Sequence, residues 1–538
     1  METLSRKSNW IPTLHSLRGI AALCVAIAHY APITCFGNDN SQKFFPFLHK
    51  YALPNFSVGI FFGLSAFLLS YLAETEYRET QSFSILKFYI RRILRIWPLY
   101  FFILIVSLFL IRPDHSTLFK IDYYMYGVWE WTIKKIYLFY SFLYNWSLTF
   151  NHSLSYEDHS ISYVNHFWSI ALEEQFYFVF PLIMYFTLPS FKFLKKIVFI
   201  SIILGIVLRA TTIFVTNDVK LYFATFSYID LFLVCSLLGV LYAKQSASYK
   251  FIERMVNTIF GKIILLSLLI LFLRFWAKHL WPPYRLSEHA LTLNQAFLVS
   301  SIYTVLAILV GFTLVLAVSP RKSLMKYFLE NKFFQKMGTL SYGIYLWHFI
   351  AIVLIRYLDI RFIASLSPPF RFFGIISLLL LYIALCITLA SLSYFFIEYP
   401  FLNLKKFFKT KDSFNSLNNP QNQWHTLKYA SFSTLSIFAI LVLIHKLTPL
   451  NPTFVSYAQI NPQNLRIYWQ PSADIETYSI LMLKEPNGYQ EVGRVNGVFT
   501  KFDVSDLIEN AQYRFLLRAC YKNGVCEDYG KELNLTMR

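Results

Sequence analysis

Arg18 and His29 stand eleven residues apart in the apolar segment LRGIAALCVAIAHY. At 100° per residue, eleven residues make three turns plus about 20°, so both side chains share one helix face, roughly 16 Å apart along the axis. Charged and titratable groups in such a segment are costly to hold there and are usually functional. An imidazole titrates in the range that proton transfer needs; it can equally be a hydrogen-bonded packing residue. Other residues of this kind follow. Glu173, in HFWSIALEEQFYFVFP (166–181), could orient an imidazole or stabilise its protonated form, as in a triad. Alternatively, Glu173 or Glu174 pairs with a buried arginine as structural glue. Trp168, Phe176 and Tyr177 read as packing and interface aromatics. His348, in LSYGIYLWHF (340–349), is a further buried titratable group, and Ser65 offers a hydroxyl that could donate a hydrogen bond or cap a helix contact. Arg92 and Arg95 share a helix face one turn apart, with Arg91 beside them. Taken alone, that cluster is ordinary charge anchoring at a membrane edge. Glu398 reads as a structural partner for a nearby Lys or Arg.

The elements that must position these residues follow from composition. Of 538 residues 56% are hydrophobic and only 15% charged, against about 25% charged in soluble domains. That excludes an ordinary soluble enzyme, and a 19% aromatic content excludes disorder. The chain reads as a polytopic all-α membrane bundle. At about 20 residues per span, the hydropathy pattern predicts about eleven helices: 13–36, 53–73, 96–111, 166–187, 197–216, 224–243, 262–280, 296–318, 338–356, 371–395 and 429–447. Arg18 inside the first span, with no small-residue cleavage site after it, argues against a cleavable signal peptide. With the N-terminus in the cytoplasm, about twice as many Lys and Arg fall on the cytoplasmic side as on the other. The excess of 49 Lys and Arg over 30 Asp and Glu is therefore loop charge, and no nucleic-acid partner is expected. An odd number of spans exports the C-terminus. Arg18 then sits at the cytoplasmic rim and His29 well into the outer half. Glu173, on a span running inward, lies about 10 Å below the outer face.

After Leu450 the pattern changes to alternation, with Leu465, Ile467 and Trp469 on one face and turn signals at Pro471, Pro486-Asn487-Gly488, Asn496-Gly497 and Asn523-Gly524. This predicts an extracytoplasmic antiparallel β-sandwich over 451–538. Trp469, Tyr478 and the pair Leu507…Tyr513 resemble the strand B Trp, strand C Tyr and tyrosine corner of a fibronectin type III module. Cys520 and Cys526 flank a turn; they could form a disulfide in an oxidising compartment or remain two buried thiols. Six cysteines are too few for a disulfide scaffold and lack zinc spacing. The expected organisation is a membrane domain over 1–405, a cytoplasmic linker with the eleventh helix over 406–450, and the β-module.

Five segments recur in order: FSVGIFFGLSAFLLS (56–70), FYIRRILRIWPLY (88–100), HFWSIALEEQFYFVFP, LSYGIYLWHF and IEYPF (397–401). With the Arg, ten residues, His arrangement of the first span, they resemble the membrane acyltransferase-3 family, whose members O-acylate extracytoplasmic glycans. The resemblance covers about residues 10–405. One departure is Ser65-Ala66-Phe67, where the family usually has Ser-Gly-Phe; the added methyl narrows any close helix approach there. The resemblance implies that Arg92, Arg95 and Arg18 hold the phosphates of an acyl-CoA donor, for which guanidinium forks are suited. A pantetheine arm reaching about 16 Å from that rim would bring its thioester to His29. It further implies His29 as general base, or as an acyl-histidine nucleophile, with Glu173 and His348 in the catalytic set, while Ser65 could donate to the acyl oxygen or simply cap a helix contact.

These readings lead to an O-acyltransferase of the bacterial inner membrane. It would pass acetyl from cytoplasmic acetyl-CoA to a cell-envelope polysaccharide such as O-antigen in lipopolysaccharide. The expected partners are acyl-CoA, the glycan acceptor and membrane lipids. No metal and no permanently bound cofactor is expected, and the oligomeric state is left open. A transporter or flippase of acyl groups or lipid-linked glycans would use the same buried His and Glu as a proton relay, but does not require the arginine cluster. A receptor displaying the β-module would leave Arg18 and His29 without a role.

Overall fold

The computed structural model describes residues 11–33, 53–109, 136–150, 164–216, 220–279, 292–321, 323–356, 368–404, 455–461, 463–469, 475–483, 488–496, 501–508, 510–521, 525–528 and 532–537. They fall into a helical unit and a β-unit.

Helices stand at ten of the eleven predicted spans: α1 Pro12–Ile33, α2 Leu53–Thr80, α3 Ile85–Phe109, and, after the short α4 Ile136–Tyr140 and α5 Tyr144–Phe150, α6 Phe167–Thr187 and α7 Phe191–Thr216. There follow α8 Ile229–Ala243, α9 Ala247–Asn257, α10 Ile259–His279, α11 Leu293–Val318, the short α12 Leu324–Leu329, α13 Lys332–Arg356, α14 Pro368–Ser393 and α15 Tyr399–Leu404. The predicted eleventh span, 429–447, lies outside the described residues. Among the described residues, five helices are long and apolar enough to cross a membrane, or six if the α9–α10 pair, bent by 78°, is one broken span. The helices carrying Arg18, Arg92, Glu173 and His348 are not among those five. Their polar cargo dilutes the apolar signal.

Several helices outrun their apolar stretch. α2 continues to Thr80 through AETEYRET, because Glu and Arg are good helix formers and because Arg91 Nη2 on α3 meets Glu76 Oε2 at 3.1 Å. α3 starts at Ile85, well before the predicted 96, so its three arginines lie on the helix itself.

α1 and α13 cross at two glycines. A Cβ on Gly19 would come within 2.5 Å of the Gly338 backbone nitrogen, and one on Gly338 would strike the His15 carbonyl. Small residues let helix backbones approach this closely. His29 lies ten positions after Gly19 and His348 ten positions after Gly338, and both pairs meet, so the two helices run parallel and in register. α2 meets α8 in the same way, with Gly239 against the Phe67 backbone. The close approach beside Ser65-Ala66-Phe67 therefore takes its glycine from the facing helix.

A fully buried ion pair that the hydropathy reading passed over ties α7, α8 and α11. Arg209 Nη2 meets Asp230 Oδ2 at 3.0 Å and Nη1 meets Oδ1 at 3.3 Å, both side chains being wholly inaccessible. The guanidinium also donates to Ser300 O, Ser227 O and Thr304 Oγ1, while Thr304 Oγ1 and Leu231 N donate to the carboxylate.

The β-unit has two antiparallel sheets. β1 Val455–Asn461, β2 Asn464–Trp469 and β5 Lys501–Val504 form one, in that order. β4 Tyr489–Asn496, β3 Ile475–Leu483, β6 Gln512–Tyr521 and β7 Cys526–Asp528 form the other, with β8 Leu533–Thr536 also on β6. Trp469 and Tyr478 pack in one core at 5.2 Å between rings, joined by Leu465, Ile467, Phe515 and Leu517. The sheets are compatible with the expected fibronectin III-like module. The predicted corner forms: Ile508 N donates to Tyr513 Oη at 2.7 Å. Tyr513→Phe is expected to destabilise the β-unit by about 1 kcal/mol, read as faster amide exchange along β6 in the full chain. Cys520 and Cys526 face each other across β6 and β7 and are joined by a disulfide, which closes the alternative the sequence left open.

Candidate functional site

The site is a column of polar side chains between α1, α2, α3, α6 and α13. At one end are the arginines. Arg95 Nη1 lies 3.6 Å from Glu398 Oε2, so Glu398, carried on a π turn over Tyr394–Glu398, is the structural partner anticipated for it. Arg18 is within electrostatic reach of Arg95, Glu173, Tyr177 and Glu398, and Arg92 of Tyr177, Arg95 and Arg18. Arg92 Nε is buried without a hydrogen-bond partner among the described residues. Glu398, Glu173 and Glu174 lie within electrostatic reach of these arginines, and guanidinium forks of this kind suit phosphate oxygens.

Glu173 occupies the next level. Ser65 Oγ donates to its Oε1 at 3.3 Å and Tyr177 Oη to its Oε2 at 2.9 Å. Both expectations for these residues change. The hydrogen bonds of Glu173 go to Ser65 and Tyr177 rather than to His29, and Tyr177, read from sequence as packing, is a polar member of the site. The reason is depth: Glu173 lies seven residues, about 10 Å, along α6 from the level of the imidazoles. The neighbouring residues act separately. Trp97 Nε1 donates to Glu174 Oε2 at 3.2 Å. Gln175 donates to Phe142 O and Asn145 Oδ1 and accepts from Trp146 Nε1, which pins α4 and α5 beside α6.

Tyr345 spans the gap to the far end. Its hydroxyl bonds Ser169 Oγ and donates to His166 O at 3.2 Å. There the imidazoles of His29 and His348 meet, with ring centroids 5.1 Å apart, and that of His166 lies 4.7 Å from His348. Phe349 packs against all three. Tyr382 on α14 fixes this level by donating to Ala26 O at 3.2 Å and His348 O at 3.4 Å. His29 Nδ1 lies 2.9 Å from Val25 O. A carbonyl only accepts, so Nδ1 carries the hydrogen and Nε2 is the basic nitrogen. His348 Nδ1 is held likewise by Tyr345 O. His348 is wholly inaccessible and His166 nearly so, whereas His29, Ser65, Glu173, Arg18 and Arg92 each keep some accessible surface deep in the bundle.

The structure thus gathers Arg18, Arg92 and Arg95 at one end, Ser65 with Glu173 in the middle, and His29 with His348 at the other. Sequence reasoning missed His166. The signal was there: it opens the HFWS segment and lies two helical turns from Glu173, on the same face.

A helical bundle with this polar column can be compared with known proteins. The model of an acyltransferase domain, that of the acyltransferase-3 family, matches residues 11–398. The chain belongs to this family. The acyltransferase-3 match contains every residue of the column. Among similar curated proteins, O-acetyltransferase OatA of Staphylococcus aureus (strain NCTC 8325 / PS 47) is 26% identical over 402 residues, 73% of this chain and 57% of that protein. A protein of Staphylococcus aureus (strain COL), named provisionally as an O-acetyltransferase, is 27% identical over 455 residues, 82% of this chain and 64% of its own length. The chain therefore spans about six-tenths of the length of the curated relatives it matches. Its apolar helices and its acyltransferase-3 membership make it a membrane protein.

Proposed function

We propose that this protein is a membrane O-acetyltransferase that takes acetyl from cytoplasmic acetyl-CoA and delivers it to a hydroxyl of a cell-envelope polysaccharide on the far side of a bacterial cytoplasmic membrane. The single observation that carries the reading is the polar column, with arginines at one end and a basic imidazole nitrogen at the other, about 16 Å apart on α1. The acyltransferase names of the relatives support the reaction class.

Arg18, Arg92 and Arg95 receive the donor phosphates, and the pantetheine arm lies along Ser65, Glu173 and Tyr177. The acceptor oxygen attacks the thioester carbonyl carbon. The C–O bond forms as the C–S bond breaks, the thiolate leaves with the electron pair, and His29 Nε2 takes the hydroxyl proton. That proton finally returns to the thiolate, giving the ester and free CoA. Ser65 and Tyr177, in donating to Glu173, hold the wall along which the thioester passes. The N-terminus is cytoplasmic and the β-unit extracytoplasmic, a placement that the Cys520–Cys526 disulfide favours. The β-unit, a fibronectin III-like module in this reading, recognises the acceptor polymer.

Two experiments test these assignments. Arg18→Ala removes charge-assisted contacts worth about 1.5–3 kcal/mol each. Titration of the purified protein with acetyl-CoA should show Kd raised about tenfold or more, and unchanged affinity would sink the donor site. Deleting 451–538 should preserve transfer to small soluble sugars while lowering acetylation of the native polymer. Full polymer acetylation by the truncated chain at equal expression would reduce the β-unit to a spacer.

A further inference from the structure

We infer that α9 is a docking surface for anionic phospholipid: it runs along the membrane plane at the arginine end of the bundle, with Lys250 and Arg254 at the headgroups and Phe251 at the edge of the hydrocarbon. Its place follows from its neighbours. Arg78 Nη1, on the end of α2 that Glu76 and Arg91 tie to α3, donates at 2.9 Å to Ala243 O at the end of α8. Gln245, with φ 48°, turns the chain there, and Ser246 Oγ caps α9 by accepting from Tyr249 N at 3.1 Å. α10 then leaves at 78°, a turn so tight that a Cβ on Gly261 would strike the Met255 carbonyl. With α10 crossing the bilayer, α9 lies close to its plane.

The sides of α9 differ in chemistry. Tyr249 and Val256 are buried against the bundle. Glu253, the helix's one acid, turns the same way: Ser319 Oγ donates to its Oε1 at 2.9 Å, and Asn257 Nδ2 donates to Ser319 Oγ at 3.2 Å. Lys250 and Arg254, one turn apart, are exposed, so the outward charge of the helix is positive. At about 100° per residue, Phe251 and Met255 form the next stripe beside them. Phe251 is 67% exposed. A basic stripe beside an apolar one is the pattern of a helix lying in a lipid interface. The first residues of α10, Ile259 and Phe260, are exposed as well, as side chains facing lipid are. Charge complementarity selects the occupant: headgroups of net negative charge draw the two cations, and a zwitterionic headgroup, neutral as a whole, does so far less. A free phosphate would meet the cations but leave Phe251 in water. None of these residues belongs to the polar column, so lipid docking does not require acetyl transfer.

The test follows amide exchange along α9 of the full chain in detergent micelles as phosphatidylglycerol or phosphatidylcholine is added. Phosphatidylglycerol should slow exchange at about a tenfold lower mole fraction than phosphatidylcholine, and high salt should remove the difference. Lys250→Gln with Arg254→Gln keeps helix-forming polar side chains at exposed positions, so this double variant should fold as the wild type does and respond equally to the two lipids. Phe251→Ser should weaken the response to both. An equal response of the wild type to the two lipids overturns the inference. So does a preference that survives in the double variant, since that marks headgroup charge acting elsewhere, or an unchanged response in Phe251→Ser. Inorganic phosphate should leave α9 exchange as it is; slowing by phosphate alone marks a simple anion site and overturns the lipid assignment. Should the double variant fail to fold, the wild-type preference and the Phe251→Ser response decide.

Discussion

His29→Ala is expected to lower acetyl transfer by at least about 100-fold while the protein inserts and folds normally. The imidazole is one partly accessible group at the end of the polar column. Its removal costs a hydrogen bond to the carbonyl of its own helix, at Val25, and contact with His348 and Phe349. The first lies within α1, and the second is a ring contact to α13 whose helix pair is still held by the Gly19–Gly338 crossing and the Tyr382 hydroxyl. Acetyl-CoA affinity should be unchanged, because the arginines stand about 16 Å away. Purified His29→Ala with kcat near wild type would remove this residue from the reaction.

Arg209→Ala should have the opposite profile. The guanidinium and Asp230 are wholly buried and satisfied by one another and by Ser227, Ser300 and Thr304. Taking away one partner leaves an uncompensated buried carboxylate, a loss of about 3–5 kcal/mol. The expected outcome is loss of most folded protein, seen as collapse of the monodisperse peak in size-exclusion of detergent extracts. Any residual folded fraction should retain near-normal specific activity, since the pair lies on α7, α8 and α11, apart from the column. Replacing both by apolar residues, Arg209→Met with Asp230→Leu, should restore much of the yield, because paired removal leaves no orphan charge. Normal yield from the single variant would show that the pair carries no load.

The helices were legible because apolar runs of span length have few other readings. Their ends were less so: the polar tail of α2 and the arginine-rich start of α3 are helical because Glu76 and Arg91 link them, a tertiary fact hydropathy does not carry. The placement of Arg18 and His29 on one face followed from helical period alone. The β-core was legible from alternation, and Trp469 and Tyr478 lie where that pattern puts them. The spans place Glu173 and His29 at similar depth from opposite faces, but an error of about a third of a span in depth is two helical turns. That error separates the imidazoles from the carboxylate. Arg209 and Asp230 escaped notice because each is a single charge in a long apolar run, and their pairing needs three helices to be in place.

The central claim is acetyl transfer to a cell-envelope glycan, and the most direct measurement is mass analysis of that glycan from cells carrying the wild-type gene, the His29→Ala gene or neither. The account predicts an added mass of one acetyl group per modified sugar with the wild type, and none with His29→Ala or without the gene. Glycan of the same mass in all three, with its amount at the cell surface changed only where the protein is made, would contradict transfer and identify an exporter instead.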